Sequence, residues 1–547
     1  MKTIYSILTF LLFALPNILY AQAPNWLWAR ATGGNAYASI ANGFSVDPLG
    51  NYYVAGNFIN GSMILGNDTF ANNGSSFDLY FAKYNAIGNI VWAKQIKANL
   101  NLRGLIASDR SGNSYLTGYF NSQYVIINSD TFNGLGVPNE GNIFITKFDP
   151  SGNSVWTRIA ASLQPNAISI DSLDNIFITG IYGGDYAVFG IDTLPNVNVS
   201  FGQATFLAKY NSHGDFIWAK DYGAESFSAI SVDEKGDVYV TGALNSEDVW
   251  GTDTIYPIGD ENIFTGKMDS SGNPLWAKSA GGQFTDYGLG IATDKTHNTY
   301  VTGSYSSPTF IFGHDTVFQH RQSFGYNIIT LKYDSSGNEE WVKTPGGNYK
   351  DLDYAISADD DSNIFLTGYF DSDTLIFGTD TIANSDGHWH IFVAKYDPVG
   401  NTLWVKTTGN TCDINPSASV FSNGSLYIAG TNFCGSIGFD SDTISDNGYQ
   451  NIFVAKLGAF PTGLPTIKGP IPSVTVYPNP STGNFYFKDL NEGDVIEIHD
   501  ILGQSIYATK IDKANYLLNL SEKSKGIYFY RISAKGNFIQ QGKITLE

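Results

Sequence analysis

The chain has 547 residues, with 31 Lys plus Arg against 51 Asp plus Glu and a formal net charge of −20, which excludes the basic surface of a nucleic-acid-binding protein. Hydrophobic residues make up 43% and charged residues 15%, a balance that excludes a disordered chain. Aromatics at 14% and 58 glycines against three methionines point to an all-β globular protein.

Met1-Lys2 precedes an apolar run from Ile4 to Tyr20, then Ala21-Gln22-Ala23, small residues at the spacing a signal peptidase reads. Residues 1–23 are therefore expected to be a secretory signal. Pro16 and Asn17 break the run, leaving it shorter than the roughly 20 residues of a spanning helix. No later segment is long and apolar enough to span a bilayer as a helix, so no transmembrane segment is expected in the mature chain.

From residue 24 to 457 the chain repeats. Trp followed two residues later by Lys or Arg recurs at Trp28, Trp92, Trp156, Trp218, Trp276, Trp341 and Trp404, at steps of 58 to 65 residues. Lys83, Lys147, Lys209, Lys267, Lys332 and Lys395 each lie nine residues before the next Trp, and Lys456 closes the series. Between each Lys and its Trp stands an Asp/Asn-x-x-Gly-Asn/Asp turn, such as Asp149 to Asn153, the signature of a three-residue hairpin loop with Gly in the left-handed position. Counting back through that turn places Ala82, Thr146, Ala208, Gly266 and Ala394 opposite their Trp residues, a small residue facing each indole, with Leu331 opposite Trp341 as the exception.

A second hairpin precedes the first: Asp47, Asp109, Asp171, Asp233, Asp294 and Asp359 each lie nine residues before a glycine, from Gly56 to Gly368, and Phe421 keeps the count to Gly430 without the Asp. Two hairpins per unit predict four strands, in the first unit Gly43 to Val46, Tyr52 to Gly56, Leu79 to Tyr84 and Ile90 to Lys94. Seven such units predict a seven-bladed β-propeller. The last unit lacks its Trp strand, and Trp26 to Arg30 is a Trp strand with no unit before it, so the N-terminal strand is expected to complete the last blade. Asp109 to Gly118 (DRSGNSYLTG) and Ile143 to Trp156 (IFITKFDPSGNSVW) resemble the β-propeller repeats of secreted and surface bacterial proteins. The resemblance covers roughly residues 26 to 457 and implies a fold without an activity.

Residues 458–472 (GAFPTGLPTIKGPIP) hold four prolines and no alternating pattern, and are expected to be a linker. From 473 to 547, short alternating strands predict a small Ig-like β-sandwich: Val474 to Tyr477, Asn484 to Phe487, Val495 to His499, Tyr516 to Leu520, Ile527 to Ile532 and Phe538 to Thr545. Tyr477-Pro478-Asn479-Pro480 with Gly483, then Gly503, then Gly526 and Tyr528 look like the C-terminal sorting domain of type IX secretion cargo, type A. That resemblance implies the type IX secretion machinery as a partner and export across the outer membrane after Sec translocation, with release or attachment at the cell surface.

Candidate chemistry is sparse. Asp-Thr recurs once per unit between the hairpins, at Asp68, Asp130, Asp192, Asp253, Asp315, Asp380 and Asp442. A Ca²⁺ role is one reading and an Asp at the turn of a small accessory hairpin the other; no unit has the Asp-x-Asp-x-Asp-Gly spacing of a calcium loop, so no cofactor is expected. His388 and His390 flank Trp389 on what would be one strand face, a spacing metals use, and an ordinary loop-and-strand pair fits equally. No nucleophile elbow, phosphate loop or zinc signature identifies a catalytic residue. Phe58, Phe120, Tyr182, Tyr305 and Phe370, two residues after the repeat glycines, are read as interblade core over sugar-stacking platforms. The only two cysteines, Cys412 and Cys434, lie equally far from the turn Ser422-Asn423-Gly424, and export places them where thiols oxidise, so a disulfide between them is expected, with two buried thiols as the alternative.

The reading is a secreted or surface propeller acting as a binding or scaffold module for a glycan or protein. The alternative is an extracellular enzyme acting on polysaccharide or protein. Spacings inside hairpins are constant while Gly-to-Lys connections run from 25 to 29 residues, so any ligand is expected on the face where those connections open.

Overall fold

The computed structural model describes residues 23–547 except 75, 101–103, 136–140, 162, 197–202, 224–225, 320–325, 412, 434, 446–449, 459–473, 489, 501–504, 514 and 535–536. The expected signal up to residue 22, the linker from residue 459, Cys412, Cys434 and Gly503 thus lie outside the described residues. The chain divides into two units, Met1–Phe460 and Pro461–Glu547, and every regular element among the described residues is a strand.

In the first unit, seven antiparallel sets of four strands follow one another, each a meander in chain order except the last; four are sheets by themselves and three belong to six-stranded sheets that also take in a small hairpin. Blade 1 consists of Tyr37–Val46, Tyr52–Ile59, Phe77–Tyr84 and Ile90–Leu100, and blade 6 of Asp351–Ala358, Ile364–Phe370, His390–Tyr396 and Thr402–Thr407. The innermost strands touch in cyclic order from Tyr37–Val46 through Leu105–Ser108, Leu163–Ile170, Ser226–Val232, Asp286–Thr293 and Asp351–Ala358 to Ile414–Ser422, which returns to the first. The ring is a β-propeller. Its last sheet is completed by Trp26–Ala31, with Trp28 opposite Lys456. The Asp440 carboxylate secures this closure, accepting from the Trp26 amide and from the Lys406 ammonium at 2.9 Å each.

The recurrent turn is built by its first carboxylate. Asp149 accepts from the Ser151 and Asn153 amides and from the Asn153 side chain, all at 2.9 Å, while Gly152 takes φ +84°. In the other hairpin series Gly50, Gly112, Asp174, Gly236, His297, Ser362 and Gly424 all have positive φ. The expected register does not hold. Lys83 faces Trp92, and likewise Lys147, Lys209, Lys267, Lys332 and Lys395 face their Trp residues, in place of Ala82, Thr146, Ala208, Gly266, Leu331 and Ala394. The reason is a one-residue bulge after each turn, the companion of a left-handed glycine, which shifts the pairing by one.

For six of the seven Trp residues, all but Trp404, the small residue that meets the indole is a glycine of the next blade's turn. A Cβ on Gly152 would lie 2.9 Å from the Trp92 ring, and one on Gly214 2.7 Å from Trp156. In three blades Trp and Lys donate to a single carbonyl of that neighbouring turn: Trp92 Nε1 and Lys83 Nζ reach Pro150 O at 3.1 and 3.4 Å, Trp156 and Lys147 reach Ser212 O at 3.2 and 3.3 Å, and Trp341 and Lys332 reach Pro398 O at 3.1 and 2.8 Å. Each buried ammonium also sits over an aromatic ring of its own second strand, Lys83 over Tyr53 at 5.0 Å and Lys395 over Phe365 at 4.9 Å, which offsets part of its lost hydration. The repeated Trp, Lys, Asp and Gly are therefore a latch between blades.

Asp-Thr begins the second strand of a small hairpin in each blade, for instance Asp380–Ala383 against Thr374–Phe377. Several of these hairpins extend the outer strand of the preceding blade: Ile126 pairs with Lys97, Phe189 with Ala160 and Ile311 with Gly281.

The second unit packs a three-stranded sheet and a four-stranded sheet around Phe485, Phe487, Ile496, Ile498, Leu518 and Ile532. The six expected strands are present, and Ser505–Lys510 adds a seventh at the edge of the larger sheet. As an edge strand it carries little buried alternation to signal it.

Candidate functional site: an aromatic wall on blades 5 and 6

In a four-stranded meander both hairpin turns lie at one end of the sheet, and the second-to-third and blade-to-blade connections at the other. The latches occupy the turn end. At the connection end the sevenfold pattern breaks.

The candidate residues read from the sequence do not converge. Phe58, Phe120, Tyr182, Tyr305 and Phe370 are fully buried in the core. His388 and His390 do not share a strand face, because the strand starts at His390. His390 sits between Asp386 and the Thr408 carbonyl, at 2.9 Å from each, whereas His388 lies 3.6 Å from Asp413. Among the described residues no group of three or more His, Cys, Asp or Glu is arranged to hold a metal.

What the connection end assembles is aromatic. Six innermost strands carry a one-residue bulge, at Asn42, Asn166, Ser228, Leu289, Tyr354 and Ser417, and in blade 6 the extra residue is a tyrosine. Tyr354 stacks on Tyr369 with ring centres 5.9 Å apart, and Tyr369 on Trp389 at 4.6 Å and 15°. Tyr369 is buried and the outer two rings are half-buried. The Asp413 carboxylate accepts from the Trp389 amide at 3.1 Å. Blade 5 carries a shorter version: Tyr287 and Tyr326, both half-buried, lie 6.2 Å apart. Burial, then the hydrogen bond to Glu261, pushes the Tyr287 hydroxyl up to about 12.

A positional signal for this wall exists in the sequence. The residue six before each repeat Lys reads Phe77, Gly141, Gln203, Glu261, Tyr326, Trp389 and Gln450, a variable column with an aromatic in three blades, two of them neighbours. Tyr354 had no such signal, because its role comes from the bulge.

Three carboxylates that break the sevenfold pattern lie on the innermost strands of the same blades. Asp286 accepts from Ser307 Oγ and the Gly282 amide at 2.8 Å each, and Asp351 from Ser372 Oγ at 2.8 Å and the Gly347 amide at 2.9 Å. Burial pushes Asp351 up to about 6 against those hydrogen bonds. Asp353 is fully buried with neither carboxylate oxygen hydrogen-bonded, and burial drives its carboxyl well above the usual range.

In the second unit, the motif residues hold the chain end in place. Asn479 Nδ2 donates to Lys543 O at 2.6 Å and its Oδ1 accepts from the Thr545 amide at 2.9 Å. Tyr477 stacks on Tyr486 at 5.8 Å beside Pro478 and Pro480. Gly483 and Gly526 both take φ +152°, and Tyr528 Oη donates to Ser524 O at 2.6 Å.

Residues 475–547 match the family described as "Secretion system C-terminal sorting domain". Over 477 residues the chain is 25% identical to an uncharacterized WD repeat-containing protein of Acanthamoeba polyphaga mimivirus, covering 72% of this chain and 34% of that one. It is also 25% identical over 178 residues to the regulatory protein FlaEY of Caulobacter vibrioides, 32% of this chain and 18% of FlaEY. The chain thus spans about a third or less of these curated relatives. Among solved structures it is similar to PorZ, a bacterial surface component of the type IX secretion system of Porphyromonas gingivalis, at 12% identity and TM-score 0.27 over 92% of this chain and 70% of that one. The propeller domain of the trilobed protease of Pyrococcus furiosus matches at 8% identity and TM-score 0.37, over 75% of this chain and 95% of that one. The chain is an all-β, repeat-built propeller that carries a C-terminal sorting domain of the secretion-system family.

Proposed function

We propose that the protein is exported with its N-terminal signal removed, carried through the outer membrane on its sorting domain, and acts at the cell surface as a binding module whose ligand docks on the connection end of the propeller. The observation that carries this reading is the wall of Tyr354, Tyr369 and Trp389, an aromatic stack at the one end of the ring where the repeat is not needed for closure. Asp286 and Asp351 are engaged by serine hydroxyls and backbone amides, which supports binding over acid-base catalysis, since a catalyst needs carboxyl groups free to meet a substrate.

Arrays of glycans and of extracellular proteins probed with the purified mature chain test the binding role. A ligand is expected that is retained after substitution at the turn end and lost with Trp389→Ala. Turnover of the bound ligand would instead favour the enzyme. The sorting role is tested separately by deleting residues 473–547: the propeller is expected to fold and accumulate in the periplasm, and normal surface delivery of the truncated chain contradicts it.

A further inference from the structure

Resting on that reading of the connection end, we infer that the wall of blades 5 and 6 is a saccharide site, and that its ligand is a neutral or amine-bearing oligosaccharide, not a polyanionic one. Flat aromatic rings with part of their surface exposed take either the C–H face of a pyranose or the apolar face of an extended peptide. The polar groups beside the rings favour the first. Beside the donors that a peptide carbonyl could use, among them His388 at 3.6 Å from Asp413, the wall is flanked by two carboxylates, Asp413 at Trp389 and Glu261 at Tyr287. Such acceptors complement hydroxyl and amine donors.

Charge narrows the choice further. Asp260, Glu261, Asp371, Asp373, Asp386 and Asp413 are exposed or half-buried in the connections of blades 4 to 6, and Lys350 is the one Lys or Arg among the described residues there. A uronate or sulfated chain would be repelled by this surface, whereas uncharged sugars and amino sugars would not. The size of the ligand follows from the repeat. Tyr326 and Trp389 occupy the same column of adjacent blades, so the two stacks address successive parts of one chain, and a monosaccharide fills only one.

The test uses the mature full-length chain, titrated with glucan, mannan, xylan and galactan oligomers, with glucosamine oligomers, with alginate oligomers and with a proline-rich peptide. At least one neutral or glucosamine series is expected to bind, more tightly as it lengthens from one sugar to several, with alginate and peptide inactive. Tyr354→Ala and Tyr287→Ala should each weaken binding about tenfold, while Tyr354→Phe, which keeps the ring, stays within about threefold. Melting temperatures of all variants separate lost binding from lost fold. Failure of every neutral and glucosamine oligomer to bind, alginate binding as well as they do, or affinity unchanged in both alanine variants overturns the inference. Binding of the peptide alone, abolished by Tyr354→Ala, overturns the saccharide but leaves the connection-end reading standing. Saccharide binding abolished only by a turn-end substitution such as Leu173→Asp overturns both.

Discussion

At the turn end of the blades the same kinds of side chain recur: an Asp or Asn that caps the turn, a left-handed glycine, an indole against the next blade's turn, and a buried ammonium that reaches the next blade's carbonyl or a nearby carboxylate. At the connection end of the same sheets, equivalent columns change from Gly141 to Glu261 to Trp389, and the innermost bulge holds Asn166 in one blade and Tyr354 in another. The contrast has a physical cause. Closing a ring of like sheets demands the same interblade contact each time, so residues that repeat report on closure, whereas a ligand is not sevenfold, so residues that meet one have to break the repeat.

The largest expected effect lies in the latch. Trp341→Ala removes a buried indole and its hydrogen bond to Pro398 O, and should cost about 3–5 kcal/mol in chemical denaturation, with ligand binding unchanged at temperatures where the variant stays folded. Next comes the proposed Cys412–Cys434 disulfide, which we expect to contribute ~3 kcal/mol by closing a loop of about twenty residues in the blade that the N-terminal strand completes. Mass spectrometry of the unreduced, natively secreted protein decides this, and two alkylatable thiols would rule the bridge out.

A smaller effect, opposite in sign, is expected at Asp353. Burial raises its carboxyl, so the folded chain retains a proton that the unfolded chain loses near pH 4. Its stability contribution is therefore full below about pH 4 and falls as pH rises toward the folded value. Asp353→Asn removes that slope and should stabilise the propeller by about 1–3 kcal/mol at pH 7 while changing little at pH 4. A variant that loses stability at pH 7 would show that the carboxylate is charged and partnered there.

Much of this contrast was legible in the sequence, because closure writes itself seven times. The strand order, both turn series and the N-terminal strand of blade 7 follow from residue type and spacing, and the sorting domain from the resemblance its motif carries. The register of Lys83 against Trp92 did not, since a bulge adds a residue without altering the count between turn and Trp. The pairing of the Asp-Thr hairpins with the preceding blade was equally hidden, because it joins residues such as Ile126 and Lys97 through backbone groups that carry no sequence signature. The wall left a weaker mark for a third reason: Phe58 and Phe370 belong to a column that recurs and is core, whereas the positions of Tyr369 and Trp389 hold an aromatic in only some blades, Tyr119 at the first and Phe77 and Tyr326 at the second.

The smallest stability effect is expected at the wall itself. Tyr354→Ala, at a half-buried position, should cost about 1 kcal/mol and yet remove most of the ligand affinity.

The central claim, that repeated residues close the ring and unrepeated ones bind, is tested most directly by measuring denaturation midpoint and ligand affinity together for Trp341→Ala and Tyr354→Ala. The account predicts a crossed result: Trp341→Ala loses several kcal/mol of stability and keeps affinity, and Tyr354→Ala keeps most of its stability and loses about tenfold in affinity. Parallel losses in both variants, or affinity lost only with Trp341→Ala, would contradict it.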